Sequence, residues 1–282
     1  FYKSFKELKN DFKKFINNIP FYGAAIICID DPTIQSIISE IEDKKIITYG
    51  LSPQADFRAT NIEFKDSKTF FSLEISPKKD ASAKKIENMV SNIPGIHNVQ
   101  NILSVCSMSV ELGIDLEIIK LALLGFEGVN RRFSLIKNYK GIQIFDDYGH
   151  HPVEISAALR AGRMMCGEHK LIAVVQPHRY SRLADLFVDF CGCFHDADEV
   201  LVADVYAAGE TSIDGINRDS LVKGLRDHGH KAASALLQPD NLANEIKVRT
   251  SAGDLVMCLG AGDITNWAAT LPDELNKLGQ AE

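Results

Sequence analysis

The stretch 141-GIQIFDDYGHHPVEISAALRAGRMMCGEHKLIAVVQPHRYSR-182 decides the fold. Two short apolar runs, GIQIF and KLIAVV, flank a segment, EISAALRAGRMM, that reads as a helix. The same rhythm continues downstream: a helix through LADLFVDFCGCF, a run EVLVADVY, helices through DSLVKGLRDHG and near NLANEIKVRT, a run DLVMCLG and a last helix. Apolar runs alternating with helices predict an α/β fold with a doubly wound parallel sheet. In such a sheet ligands sit beyond the carboxyl ends of the strands. The residues that follow each run, DDYGHH, QPHRYSR, YAAGE and GAGD, are therefore the site candidates.

Toward the amino end the pattern changes. A Lys-rich amphipathic helix is expected over FYKSFKELKNDFKKFINNIP (1–20), with no apolar signal-peptide core. A strand AAIICID, a helix opened by Asp31-Pro32 and a strand near KKIITYGL form a parallel unit. Short antiparallel or mixed strands are expected in DFRATNIEF, TFFSLEISP and KKIENMVSNI, and helices in HNVQNILSVCSMSVELG and DLEIIKLALLGF. The alternation begins after EGVNRRF, which puts a domain boundary near residues 127 to 133. The length of 282 residues suits two domains. The composition, 45% hydrophobic and 24% charged, is that of a soluble globular chain, and no apolar run is long enough to span a bilayer. A net charge of -7 argues against nucleic-acid binding. Six cysteines in mostly apolar runs read as buried thiols of a reducing compartment; Cys191, Cys193 and His195 read as packing rather than as a zinc site. The first residue is Phe1, and the chain reads as starting inside a longer one.

At the strand ends, Asp146, Asp147, Tyr148, Gly149, His150 and His151 crowd polar and aromatic groups before Pro152. They suit a binding role, or in part a helix cap, or less readily a metal site. In QPHRYSR, Arg179 and Arg182 are spaced so that one helical turn would bring them together beside His178, and a guanidinium pair grips a carboxylate or phosphoryl oxygen. Asn98 and Asn101 share a face of a helix start, where they suit either an adenine edge or, for Asn98, a cap. Gly260 and Gly262 of GAGD read as close strand-to-helix packing, since neither G-x-G-x-x-G nor a phosphate-loop motif occurs. The missing glycine fingerprint counts against a Rossmann oxidoreductase.

Taken together and in order, NIPGIHNVQN, GVNRRF, DDYGHHPVEI, QPHRYSR, VYAAGE and GAGDI resemble the Mur ligase family. The resemblance implies that residues 1–127 form the later part of a central ATP-binding domain and 128–282 a C-terminal Rossmann-like ligase domain. It implies an ATP-dependent ligase of peptidoglycan precursor synthesis, joining L-alanine to UDP-N-acetylmuramate through an acyl phosphate in the cytoplasm, in support of cell shape and division. His97, Asn98, Asn101, Arg132 and Asp147 would bind ATP. Tyr148, His150, His178, Arg179 and Arg182 would surround the alanine and the muramyl carboxylate, with Arg132, His150 and His178 catalytic. The family's UDP-binding domain and phosphate loop are expected to lie outside this chain, and with them the Mg2+ ligands, so that the chain alone would be inactive. Tyr148-Gly149 and the complete QPHRYSR favour the alanine-adding reading over a muropeptide-recycling ligase. The remaining alternative is a non-catalytic nucleotide-binding module.

Overall fold

The computed structural model describes residues 4–65, 68–76, 83–126 and 128–280, and the chain divides into two compact units, 1–127 and 128–282. Residues 1–3 of the expected first helix, Pro77 at the end of an expected strand and Glu127 near the expected boundary lie outside the described residues.

The first unit runs α1 (Phe5–Asn17), β1 (Ala24–Cys28), α2 (Pro32–Ile38), β2 (Lys45–Gly50), β3 (Phe57–Lys65), β4 (Lys68–Ile75), β5 (Lys84–Ser91), α3 (Ile96–Glu111) and α4 (Leu116–Gly125). Its sheet follows chain order, parallel across β1, β2 and β3 and antiparallel across β3, β4 and β5. Local chemistry sets the helix starts: Asp31 accepts the Ile34 N–H at 2.9 Å with Pro32 at the first helical position, and Asp115 accepts the Glu117 N–H at 2.8 Å. Val99, Leu103 and Cys106 of α3 are fully buried against Leu73 and Met89 of the sheet.

The second unit runs β6 (Ser134–Tyr139), β7 (Ile142–Asp147), α5 (Pro152–Cys166), β8 (Leu171–Val175), α6 (Tyr180–Asp185), α7 (Phe187–Gly192), β9 (Glu199–Val202), α8 (Arg218–Asp227), β10 (Ala233–Ala235), α9 (Leu242–Arg249), β11 (Leu255–Leu259) and α10 (Ile264–Gln280). The sheet order is β10-β9-β8-β11-β7-β6, with every pairing parallel except β6 against β7. One face carries α5, α7 and α8 and the other α9 and α10, the doubly wound arrangement. Every residue of β8 and β11 is buried, as two-sided burial requires of apolar runs.

Helix α5 shows how the sequence builds one layer. Glu154 and His151 close a capping box, Pro152 opens the first turn, and Ile155, Ala158, Leu159 and Cys166 recur at helical spacing on the buried face. Three expectations need correction. The helix expected through LADLFVDFCGCF breaks at Leu186 (φ -116, ψ 22) into α6 and α7, a break that nothing in the local sequence marks. The run EVLVADVY holds strand pairing only to Val202, after which Tyr206 rejoins as a single bridge to His178. The cysteines are all unpaired, but Cys28 and Cys193 are only partly buried.

Candidate functional site

Because β7, β8, β9 and β11 run parallel, the residues after Asp147, Val175, Val202 and Leu259 emerge along one edge of the second unit. That edge carries a continuous chain of rings. Tyr148 meets His150 edge to face with centroids 5.0 Å apart, His150 meets His178 at 5.8 Å, and His178 stacks on Tyr206 at 5.4 Å with 15° between planes. The stack has a backbone cause. The Tyr206 N–H donates to Pro177 O and the Arg179 N–H to Tyr206 O, both at 2.8 Å, so β8 and β9 remain tied beyond their ends. Two guanidinium groups approach Tyr148, Arg131 with its Cζ 4.7 Å and Arg132 with its Cζ 6.0 Å from the ring centroid.

The proton on His178 can be assigned from its neighbour. Arg182 Nη1 lies 3.2 Å from His178 Nδ1 and donates to His178 O at 3.1 Å. A guanidinium only donates, so Nδ1 accepts and the ring of neutral His178 carries its proton on Nε2. Burial pushes the His178 value below that of an ordinary imidazole, and Arg182, His150 and Arg179 push the same way. The site therefore holds a neutral imidazole among cations.

Arg179 and Arg182, expected to meet beside His178, both act on that ring. Arg179 is the N-cap of α6 with a left-handed backbone (φ 72), while Arg182 lies inside the helix, so the two side chains take different partners. Arg179 Nη1 stands 3.6 Å from Glu210 Oε1. Glu210 also accepts the Ser181 N–H at 3.0 Å and the Ser181 hydroxyl at 2.7 Å. Those two bonds, followed by Arg179, hold the Glu210 carboxyl below the usual range.

Asp147 is 6% exposed, and its two oxygens accept the N–H groups of Phe133 and Gly149, each at 2.7 Å. Burial pushes its carboxyl up, the two N–H bonds and Arg132 pull it back, and the balance stays above the ordinary value. Its first role is to fasten two loops. Tyr148 projects from this strand end, 36% exposed, and His150 Nδ1 bonds to Tyr148 O at 2.9 Å. In DDYGHH the cap reading holds for His151, which caps α5, whereas Tyr148 and His150 join the ring chain. Arg132 reaches Glu154 only at 4.0 Å and is 56% exposed. In GAGD, Gln176 accepts the Ile264 N–H at the start of α10 at 3.1 Å. A Cβ at Gly262 would stand 2.4 Å from Gln176 Oε1 and 2.7 Å from the Tyr206 ring, so only glycine fits.

In the first unit, His97, Asn98 and Asn101 lie in the first two turns of α3. The N-cap is Gly95, and the Asn98 amide donates back to Pro94 O at 2.7 Å, so Asn98 ties the loop to the helix without capping it. Asn101 is exposed. Among the described residues no group of three or more His, Cys, Asp or Glu could hold a metal ion. Sequence reasoning singled out neither Arg131, Glu210 nor Gln176. The doubled arginine of GVNRRF and the acid of YAAGE were the available signals for the first two.

Comparison with known proteins agrees with these two units. Residues 1–109 match the family described as Mur ligase middle domain, and residues 131–262 the one described as Mur ligase, glutamate ligase domain. The UDP-N-acetylmuramate–L-alanine ligase of Methylobacterium radiotolerans is 50% identical over 277 residues, which make up 98% of this chain and 59% of that protein. This chain thus spans about three fifths of that relative's length. Two crystal structures share the fold. The UDP-N-acetylmuramate-alanine ligase of Thermotoga maritima matches 99% of this chain and 56% of its own at 24% identity, TM-score 0.73. The MurF ligase of the same organism, in complex with ADP, matches 99% and 60% at 17% identity, TM-score 0.70. With both of its units matched, the chain belongs to the Mur ligase family.

Proposed function

We propose that this chain is part of an ATP-dependent ligase of peptidoglycan precursor synthesis that joins L-alanine to UDP-N-acetylmuramate. The observation that carries the reading is 50% identity, across nearly the whole chain, to a relative named for that reaction. In the proposed chemistry the muramyl carboxylate attacks the γ-phosphorus of ATP, ADP leaves, and an acyl phosphate forms. The alanine amine then attacks the acyl carbon, phosphate leaves, and the amine proton passes to a base. Both steps gather charge on oxygen, and fixed cations lower such barriers.

The geometry supports a division of roles. Arg132, exposed and loosely paired, is free to turn toward transferred phosphoryl oxygens. Arg179 and Arg182 would anchor the alanine carboxylate, with Tyr148 and His150 lining the approach. Neutral His178, with Nδ1 already accepting, would offer only its Nε2–H to an oxygen. His97, Asn98 and Asn101 would hold the adenine, Asn98 through its carbonyl oxygen since its amide is in use. Asp147 would reach a ribose hydroxyl only through lone pairs left by its two N–H bonds. A cytoplasmic setting fits the six unpaired cysteines, and no described helix is long and apolar enough to cross a membrane.

The test is phosphate release by the full-length parent with UDP-N-acetylmuramate and ATP, offering L-alanine and then a muramyl-type tripeptide as acceptor. Release with alanine is expected. Release with the tripeptide alone would transfer the chain to the muropeptide-recycling branch.

A further inference from the structure

The two arginines of GVNRRF have opposite surroundings. Arg132 is 56% exposed, whereas the Arg131 side chain is 28% exposed and turned inward. Arg131 Nη2 donates to Gly260 O at 2.8 Å, its Cζ lies 4.7 Å from the Tyr148 ring centroid, and its carbonyl accepts the Tyr148 N–H at 2.7 Å. One residue thus touches the end of β11 and both the ring and the backbone of Tyr148. Its Nε stands 3.7 Å from Oδ2 of Asp146, a carboxylate whose side chain is 3% exposed and which accepts the Thr265 hydroxyl at 2.6 Å. Arg131 Nε and Asp146 Oδ1 make no hydrogen bond among the described residues, so charge rather than a direct bond couples the pair. A carboxylate this deeply buried needs a neighbouring cation.

The backbone adds a second constraint. Arg131 (φ 62) and Phe133 (φ 50) are both left-handed, with Arg132 between them. Residues other than glycine keep that conformation only where their surroundings over-determine it. Asp147 supplies one tie by accepting the Phe133 N–H, and Asp146 faces the Arg131 side chain. The consecutive carboxylates at the end of β7 therefore grip a turn whose middle residue is Arg132.

We propose that Arg131 is a positioning residue, fixing Tyr148 and the direction in which Arg132 leaves the turn. Its kinetic consequence rests on the phosphoryl-transfer role proposed for Arg132, and its structural consequence does not. In the full-length parent, Arg131→Ala strands the Asp146 charge and lowers stability. The double variant Arg131→Ala/Asp146→Asn removes that charge and should regain the lost thermal stability. Its kcat should nevertheless stay down on the order of tenfold or more, without a matching rise in KM for ATP or L-alanine, because misplacing Arg132 costs rate rather than ground-state affinity. Arg131→Lys should recover part of that rate. A rate that returns together with stability in the double variant would overturn the proposal. In the 282-residue chain, the His150 Cε1–H resonance should move in the double variant, since the Tyr148 ring against it has lost its guanidinium, while those of His195 and His228 hold still. An unmoved His150 resonance would sink the positioning role even if the parent proved to have no ligase activity, so the two readings fail separately.

Discussion

The two ends of the sheet in the second unit use the same residue types to opposite purposes. At the amino ends of the strands, Asp198 accepts the Leu171 N–H at 2.7 Å and pairs with Arg163, and Asp254 accepts the N–H groups of Lys170 and Ser251 at 2.9 and 2.8 Å. Glu199 meets both Lys170 at 3.0 Å and Arg249 at 3.3 Å. Burial pushes Asp198 up, yet the Leu171 N–H and Arg163 outweigh it and leave its carboxyl below the ordinary range. At the carboxyl ends Arg218 still meets Asp204 at 3.1 Å, but the cations around the ring chain stand farther from their acids, Arg179 at 3.6 Å, Arg131 at 3.7 Å and Arg132 at 4.0 Å. Charges at the first end close the structure on itself. Those around the ring chain at the second retain field that an incoming anion can complete, and that contrast singles out the candidate site.

The contrast is most exposed to attack at Arg132. In the full-length parent, Arg132→Ala should cost a hundredfold to a thousandfold in kcat, about 3 to 4 kcal/mol, as for loss of one donor to developing charge. Its melting temperature should hold, because the side chain is 56% exposed. A stable variant with an unchanged maximal rate would erase the difference between the ends. The opposite end should answer in stability alone. Arg163→Ala strips hydrogen bonds from Asp196 O, Gly167 O and His169 O and leaves Asp198 without its cation. A loss of about 3 kcal/mol in urea unfolding is expected, with turnover per folded molecule unchanged.

A smaller effect should sharpen the comparison. Arg182→Ala or Arg179→Ala should raise the KM for L-alanine about thirtyfold, roughly 2 kcal/mol, as expected when one side of a charge-assisted carboxylate pair is removed. The smallest effect is a pH dependence. The folded value of His178 is lowered, so the unfolded chain takes up its proton first as pH falls. His178 thus contributes stability that is present above the ordinary imidazole value and lost between that value and the lower folded one. Arg182→Ala should narrow this window by moving the folded midpoint upward, and titration of the His178 Cε1–H resonance would read it. A wild-type midpoint at or above the ordinary value would contradict the lowering by burial and Arg182.

Much of the fold was legible because burial on two faces leaves a local signature. GIQIF, KLIAVV and DLVMCLG became β7, β8 and β11, and each intervening helix begins near its cap. The elements missed are those with little to bury. β6 is mostly exposed at the sheet edge and closes on β7 through Lys140 and Gly141, both at positive φ, and β10 is three residues long. The site was legible as a set of strand ends but not as a set of partners. Arg131 meets Gly260 and Asp146 meets Thr265 across most of the unit's length, and no local spacing encodes such meetings.

The sheet order also sets a timetable for synthesis. β11 is the last strand of the unit, yet it lies between β7 and β8, pairing Leu255 with both Gln143 and Leu171. At roughly 5 to 20 residues per second, a ribosome must deliver nearly the whole unit before the two earlier strands acquire the neighbour that joins them. Until then their apolar inner edges stay open to mispairing and to chaperones, and closure over so long a sequence separation is slow. A nascent chain halted just before Leu255 is therefore exposed to aggregation, and the few residues from Leu255 to Leu259 join β7 and β8 into one continuous sheet.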